Sequence, residues 1–193
     1  MNRFSKIIKR IFDFIFAFIG IIIFSWLIFI CLLVASIETR NIGIFSQIRV
    51  GKKGKFFKIY KIRSMHICKN NNSTITTSHD KRITISGIFF RKYKLDELPQ
   101  LWNVLKGDMS FVGPRPEVPL YIKKLSNYEK KIILSVKPGI TGPATLKYRN
   151  EEFILSKVKD PIKYNDEIIY PDKIKINNKY VNNWSFIKDL IYI

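Results

Sequence analysis

The longest apolar segment of the chain runs from Phe14 to Ile37 and contains no charged side chain. As one α-helix these 24 residues would extend roughly 36 Å, slightly more than the hydrocarbon core of a bilayer at about 30 Å. A cleaved signal peptide would have a shorter apolar run followed by a small-residue cleavage site. The pattern therefore predicts a membrane-embedded segment within residues 1–40.

Beyond residue 40 the apolar runs become short and periodic, which is typical of a folded domain covering residues 41–193. Two strands are predicted, Ile44–Val50 and Phe56–Met65, and the Gly-Lys-Lys-Gly sequence between them favours a hairpin. Asn70–Ser78 is polar without apolar periodicity and is predicted to be an exposed loop.

Three later segments have apolar residues at helical spacing. They are Leu95–Leu105, Leu120–Val136 and a last stretch with Tyr180, Trp184, Ile187 and Ile191 along one side. The predicted fold class is therefore α+β, mainly helical with a small β-hairpin, joined to the membrane-embedded helix.

The charges that flank the apolar segment bear on its topology. Residues 1–13 contain four basic side chains against one acidic, and residues 38–63 contain eight against one. The positive-inside bias draws both ends to the cytoplasmic face. A re-entrant helix that bends near Gly20 and Ser25 satisfies this bias, whereas a single-pass anchor oriented by the larger cluster does not. The sequence alone leaves both topologies open.

The whole chain is strongly basic, with 34 Lys and Arg against 15 Asp and Glu, a formal net charge of +19. This charge implies an anionic partner: nucleic acid, a lipid surface or a phosphorylated substrate. The two cysteines, Cys31 and Cys68, have neither a disulfide framework nor metal-ligand spacing.

An acidic pair, Asp96 and Glu97, stands out in this basic chain. At the start of a helix its two carboxylates diverge by roughly 100° and can have different roles, one attacking and one binding a hard divalent cation. Taken alone, the pair favours an ordinary helix start, in which Asp caps the helix and Glu complements its dipole. Further along, two prolines flank Arg115 and fix its backbone, which suits a guanidinium that binds a diphosphate.

Ordered motifs along nearly the whole chain resemble the bacterial sugar transferase family, the monotopic phosphoglycosyl transferases. The matching segments are Lys9–Asp13 (KRIFD), Gln47–Gly54 (QIRVGKKG), Tyr60–Met65 (YKIRSM), Leu95–Asn103 (LDELPQLWN), Gly107–Glu117 (GDMSFVGPRPE) and Lys137–Gly142 (KPGITG).

The resemblance implies a covalent mechanism. Asp96 is expected to attack the β-phosphorus of a UDP-sugar and release UMP, and undecaprenyl phosphate is expected to take the phosphosugar from the carboxylate. Mg²⁺, held with help from Glu97, is the expected cofactor. The residues expected to bind substrate are Arg91, Arg115, Glu117, Lys61 and Arg63.

The resemblance also implies a place and partners. The catalytic domain is expected on the cytoplasmic face of the bacterial inner membrane, in contact with membrane lipid, with no nucleic acid partner and with a homodimer left open. Ser25 is expected at the bend of the re-entrant helix, although Trp26 follows it where the family usually has proline. A second departure, the Thr141–Thr145 sequence TGPAT, marks a subgroup.

Two other functions remain as alternatives to the transferase. The net charge allows a membrane-anchored nucleic-acid-binding protein, and family membership alone allows an inactive scaffold for glycan assembly. Neither alternative explains the acidic pair together with the proline-framed Arg115.

Overall fold

The computed structural model describes residues 3–67, 77 and 80–193. Its α-helices are α1 (Arg3–Thr39), α2 (Ile85–Lys92), α3 (Gln100–Lys106), α4 (Pro119–Lys124), α5 (Asn127–Ile133), α6 (Pro143–Lys147), α7 (Glu151–Ser156), α8 (Pro161–Tyr164), α9 (Tyr170–Asn182) and α10 (Phe186–Tyr192). Its strands are β1 (Ile44–Val50), β2 (Phe56–Ile62), β3 (Ser110–Val112) and β4 (Gly139–Thr141). The mainly helical α+β class is confirmed. The predicted loop Asn70–Ser78 lies, apart from Thr77, outside the described residues.

Helix α1 contains the predicted apolar segment and extends it at both ends into the basic flanks. It is long and apolar enough to cross a membrane, and only 11% of its most apolar window is buried. A core helix of a soluble protein would be mostly buried, so this exposure favours insertion into lipid. The side chains of α1 that are buried lie on one face: Asp13, Ala17, Cys31, Ala35 and Thr39.

Strands β1 and β2 form the predicted antiparallel hairpin, with Ile44 opposite Ile62 and Val50 opposite Phe56. The prediction that the second strand reaches Met65 is wrong, because β1 has no residue left to pair beyond Ile44. Met65 instead forms an isolated bridge with Ile83.

A second small sheet pairs β3 with β4 in parallel, and the sequence pattern did not predict it. Ser110 lies opposite Gly139 and Val112 opposite Thr141. The backbones approach so closely that a Cβ on Gly139 would lie 2.1 Å from the Gly113 nitrogen. This contact places the loop that carries Arg115 beside the end of β4.

The predicted helix Leu120–Val136 is two helices, α4 and α5. Helix α4 ends at Lys124, and Ser126 caps α5: its hydroxyl accepts from Glu129 N, and the Glu129 carboxylate accepts from Ser126 N. This reciprocal capping box stabilises a new helix start. Tyr128, in the first turn of α5, is exposed.

The last predicted helix is also divided. Helix α9 ends at Asn182, and Ser185 caps α10 by accepting from Lys188 N. The break rotates the two pieces relative to each other, so that Tyr180 is buried while Ile187 and Ile191 are exposed.

Three apolar clusters form the core, and α1 contributes to two of them. Ala17 packs with Ile59, Val104 and Met109, whereas Cys31 and Ala35 pack with Ile62 and Phe90. The third cluster consists of Tyr121, Leu125, Ile133, Tyr170 and Ile174. Both halves of α1 are therefore packed against the domain that follows it.

Candidate active site

Asp96 and Glu97 lie in a 3₁₀ turn, Leu95–Glu97, and not in the first turn of the predicted helix Leu95–Leu105. Pro99 has no N–H group, and the bonds around it span three residues: Leu98 N donates to Leu95 O at 3.2 Å and Leu101 N to Leu98 O at 3.0 Å. Helix α3 begins only after this proline. Both carboxylates are buried, with Asp96 6% and Glu97 8% exposed.

Asn103 fixes α3 to β2. Its side-chain Oδ1 accepts from Tyr60 N at 3.1 Å, and its Nδ2 donates to Lys58 O at 2.7 Å. Since these two bonds satisfy both ends of a fully buried amide, they hold the acidic pair in register with Lys61, the next residue of β2.

Glu97 is held between two cations. Lys61 Nζ donates to Glu97 Oε1 at 2.7 Å, and Arg115 Nη2 donates to the same oxygen at 2.6 Å. Burial opposes ionisation of this carboxyl, but the charges and hydrogen bonds of Arg115 and Lys61 outweigh it and hold the pKa of Glu97 well below 4.5. Glu97 is therefore ionised throughout the physiological range.

Asp96 has a different environment. Burial raises the pKa of Asp96 above its ordinary value of 3.8, opposed by the charge of Lys61 and reinforced by that of Glu97. Lys61 Nζ is 4.0 Å from Asp96 Oδ2, and Asp96 Oδ1 is buried without a hydrogen-bond partner among the described residues. The two neighbouring carboxylates thus differ. That of Glu97 is paired with Lys61 and Arg115, whereas that of Asp96 keeps one oxygen without a partner among the described residues.

The loop Gly113–Glu117 is held rigidly on both sides. Gly113 N donates to Thr141 O, and Pro114 O accepts from Gly139 N at 2.9 Å. On the hairpin side, Arg49 Nη1 donates to Pro116 O at 3.0 Å, and Val50 N donates to Glu117 O at 3.0 Å. Arg49 and Val50 of the QIRVGKKG segment therefore hold the backbone just after Arg115, which was not predicted from the sequence.

A cavity of about 400 Å³ opens beside the pair. Its residues from the predicted site are Glu97, Arg115 and Glu117, whereas Asp96, next to Glu97 in the chain, is not among the lining residues. Burial raises the pKa of Glu117, and Lys173 and Arg49 oppose the shift. The remaining residues of the wall are Lys94, Leu98, Leu101, Phe111, Ile140, Thr141, Ala144, Thr145, Leu146, Tyr148, Arg149, Glu151, Glu152, Lys173 and Asn177.

Three residues predicted for the site, Arg91, Arg63 and Ser25, neither line the cavity nor form an ion pair with Asp96 or Glu97. Arg91 pairs with Glu152, a residue of the cavity wall, and reaches the Ser64 hydroxyl. Arg63 Nε donates to Ile42 O at 2.9 Å, at the open end of the hairpin. Their roles in substrate binding stay predictions.

Ser25, the third of these residues, is exposed midway along α1. Its hydroxyl donates to Ile22 O at 3.0 Å. A serine hydroxyl that bonds a helix carbonyl in this way occurs often where helices bend. Its role at a bend stays a prediction.

The sequence reasoning missed the wall provided by α9, where Lys173 and Asn177 face the cavity. Their spacing of four residues places them on one side of a helix. Lys and Asn are so frequent in this chain that the spacing alone could not single them out.

Comparison with known proteins gives a family match over almost the whole chain. The family model described as "Bacterial sugar transferase" matches residues 4–193. A Bacillus subtilis protein, provisionally assigned as an undecaprenyl-phosphate N-acetylgalactosaminyl 1-phosphate transferase, is 46% identical over 62% of this chain and 68% of its own length.

Two further relatives match nearly the entire chain. The uncharacterized sugar transferase EpsL of Bacillus subtilis is 36% identical over 95% of this chain and 82% of its own length. The UDP-glucose:undecaprenyl-phosphate glucose-1-phosphate transferase of Klebsiella pneumoniae is 34% identical over 98% of this chain, which spans 39% of that longer protein.

The family match covers the acidic pair, the hairpin and the proline-framed loop together. The matches favour an enzyme over the nucleic-acid-binding alternative. The chain therefore belongs to the bacterial sugar transferase family and is a phosphoglycosyl transferase.

Proposed function

We propose that this protein transfers a sugar-1-phosphate from a UDP-sugar to undecaprenyl phosphate, the first membrane step in assembling a bacterial polysaccharide or other glycoconjugate. The observation that carries the proposal is the contrast within the acidic pair. Glu97 is ionised and held by Lys61 and Arg115, whereas Asp96 keeps a buried oxygen without a partner among the described residues. A carboxylate oxygen without competing hydrogen bonds is suited to act as a nucleophile.

In the first step an Asp96 oxygen attacks the β-phosphorus of the UDP-sugar. The bond from that phosphorus to the bridging oxygen breaks, and UMP leaves with the electron pair. The sugar phosphate is then held on Asp96 as an acyl phosphate. Arg115 lines the cavity and Lys61 Nζ lies 4.0 Å from Asp96 Oδ2, and both cations would offset the charge of the diphosphate.

In the second step an oxygen of undecaprenyl phosphate attacks the same phosphorus, and the Asp96 carboxylate leaves unchanged. The products are a polyprenyl-diphosphate-sugar and the original enzyme. Dividing the transfer in this way avoids bringing two anionic substrates together at once.

Mg²⁺ is the proposed cofactor, and the residues present fit a cation whose coordination shell is completed by the substrate. Among the described residues there is no group of three or more His, Cys, Asp or Glu side chains that could hold a metal. Mg²⁺ is commonly held by one or two carboxylates, with water and phosphate oxygens completing its shell. Glu97, buried next to Asp96, would hold such an ion, which would offset negative charge on the diphosphate.

The packing of α1 supports a re-entrant membrane helix. Near its start, Asp13 Oδ1 accepts from Phe111 N at 3.1 Å, and near its end, Glu38 accepts from Ile85 N at 2.7 Å. A Cβ on Gly20 would still lie 3.2 Å from Leu101 Cδ1, and Leu27 again packs on the core. Only residues 21–26 lie between these contacts, about 9 Å of helix, which is too short to cross a core of about 30 Å.

Exposed apolar faces beside both ends of α1 support the same re-entrant topology. Helix α2, beside the end of α1, exposes Ile85, Ile88 and Phe89, and α10, beside its start, exposes Ile187 and Ile191. Amphipathic helices of this kind lie in the membrane interface with the apolar face in the acyl region. We place this interface at the cytoplasmic side of the inner membrane, where a soluble nucleotide sugar meets a lipid-borne phosphate.

The proposal is tested by measuring UMP release from UDP-sugars by the purified full chain in detergent with undecaprenyl phosphate and Mg²⁺. Labelled sugar phosphate should become covalently attached to the protein when the acceptor is omitted. In Asp96→Asn the covalent label should disappear and turnover should fall by on the order of 10⁴-fold or more. Asp166→Asn is the matched control, since Asp166 is half-exposed and pairs with Lys124 at 2.6 Å, outside the cavity. Normal turnover in Asp96→Asn would reject the nucleophile, and labelled protein without UMP release would reject the reaction.

A further inference from the structure

The α9 wall of the cavity has a polar side chain without a protein partner. Asn177 is 7% exposed, and its Oδ1 is buried with no hydrogen-bond partner among the described residues. The side chain nevertheless lines the same cavity as Glu97 and Arg115. A buried amide oxygen without a donor is unfavourable, so a donor supplied by a bound ligand would be a favourable partner for it.

Lys173, which lines the cavity one turn before Asn177, is already paired with a carboxylate. Lys173 Nζ, one turn earlier on α9, donates to Glu151 Oε2 at 2.6 Å, and Glu117 lies close enough to Lys173 for their charges to interact. With two carboxylates beside it, Lys173 offers a phosphate group less net positive charge than Lys61 and Arg115, which share Glu97. This end of the cavity therefore suits a neutral ligand that both donates and accepts hydrogen bonds.

The ring of Tyr148, which also lines the cavity, is not free to stack on a flat base. Lys173 Nζ lies 5.6 Å from the centre of the Tyr148 ring, and Lys147 Nζ lies 5.5 Å from it. The Tyr148 hydroxyl donates to Asp172 Oδ2 at 2.7 Å. A uracil would gain most from a free aromatic face, whereas a sugar ring needs mainly hydroxyl partners.

We propose that Asn177, supported by the Lys173–Glu151 pair, binds the polar substituents of the donor's sugar ring and determines which UDP-sugar is used. This inference rests on the proposed function. A site built to bond a particular hydroxyl or amide group rejects an analogue that lacks it, because its buried polar atom is then left unpaired. Asn177 is thus assigned as a specificity-determining residue, separate from the transfer chemistry at Asp96.

The test compares kcat/KM for UMP release from UDP-glucose, UDP-galactose, UDP-N-acetylglucosamine and UDP-N-acetylgalactosamine. In Asn177→Ala the preference for the best donor over the next best should change by about tenfold or more. Inhibition by UMP, which lacks the sugar, should not change. Asn177→Ser, which keeps a small polar group, allows the donor preference to be measured if the alanine variant does not fold.

Asn178→Ala is the matched control. Its Oδ1 is likewise buried without a partner among the described residues, on the same helix, but the residue does not line the cavity. Its sugar preference should equal that of the unaltered protein. Unchanged preference in the Asn177 variants would overturn the inference while leaving the transferase proposal intact. Equal losses for all four donors with weaker UMP inhibition would assign Asn177 to the nucleotide and also overturn it. No UMP release by the unaltered protein would reject both proposals.

Discussion

Arg115 Nη2 lies 2.6 Å from Glu97 Oε1, and this ion pair joins the proline-framed loop to the acidic pair. The Arg115 side chain is 38% exposed and that of Glu97 10%, so the guanidinium lies between a buried carboxylate and the open cavity. Glu97 raises the pKa of Arg115 above its ordinary value of 12.5, and burial opposes the shift. Arg115 therefore stays charged at every pH at which the protein is folded and can contact Glu97 and a substrate phosphate together.

Replacing Arg115 by Lys should lower kcat/KM for UMP release by about 10- to 100-fold. An ammonium has no planar fork, so it cannot keep the Glu97 contact and bind phosphate with a second nitrogen. The loss of one charged hydrogen bond accounts for this range. The measurement is steady-state UMP release at saturating acceptor.

Arg82→Lys is the control for this substitution. Arg82 is also paired, with Asp80 at 2.6 Å, and does not line the cavity. Its variant should keep full activity. Equal activities of the Arg115 and Arg82 variants would remove Arg115 from substrate binding.

The acid side of the pH–rate profile should depend on Lys61. Asp96 must be ionised to attack, so activity falls as the pH decreases through the pKa of Asp96, which burial raises above 3.8. Lys61 is the charge that opposes this rise. In Lys61→Met the pKa of Asp96 should rise further, and the acid limb of kcat/KM should move to higher pH.

Lys58→Met is the control, because Lys58 lies on the same strand with an exposed side chain. Its acid limb should stay where it is in the unaltered protein. In the unaltered protein the limb is not that of Glu97, whose pKa lies well below 4.5, and in Lys61→Met the charge and hydrogen bond of Arg115 still lower that pKa. An acid limb that stays fixed or moves to lower pH in Lys61→Met would contradict the assignment to Asp96.

Asp96→Asn should stabilise the protein at neutral pH while removing activity. The pKa of Asp96 is higher in the folded state than its ordinary value, so stability is lost as the pH rises through the folded-state pKa. Above the folded-state pKa this cost is fully present, and a neutral amide of the same shape avoids it. Thermal unfolding should show a higher Tm for the variant at pH about 7 and a smaller difference at pH about 4.

Asp166→Asn should show no such gain, since an exposed ion pair contributes only about 0–1 kcal/mol. A lower Tm for Asp96→Asn than for the unaltered protein at neutral pH would mean that Lys61 stabilises the Asp96 carboxylate more than burial destabilises it.

Elements with a local signal were predicted well from the sequence. The apolar run of α1 and the alternation of β1 depend on neighbouring residues, and β1 has its predicted bounds, Ile44–Val50. The break between α4 and α5 also has a local signal, since Ser126 and Glu129 have capping-box spacing. The continuous apolar pattern across it favoured a single helix.

Only the site residues that lie within recognisable motifs were predicted from the sequence. The structure brings Asp96, Glu97, Lys61 and Arg115 together, as their shared family motifs implied. Asn177 comes from a helix 80 residues further along the chain, and no local pattern indicates which face of that helix meets the cavity. The β3–β4 pairing likewise depends on a close approach of two backbones at Gly139 that no periodicity reveals.

Both ends of α1 should lie on the same face of the membrane as the catalytic domain. The packing of Asp13 on Phe111 and of Glu38 on α2 joins each end to one folded unit. In a variant with Cys31 and Cys68 replaced by serine, single cysteines at Lys6 and Ser46, both exposed, would report the two ends, and one at Lys131 would report the domain. A membrane-impermeant maleimide added to intact spheroplasts should label none of the three positions, and after permeabilisation it should label all of them. Labelling of position 6 but not 46 and 131 in intact spheroplasts would instead establish a single-pass anchor, and the packing of the first half of α1 on α3 would then have to be absent in the membrane.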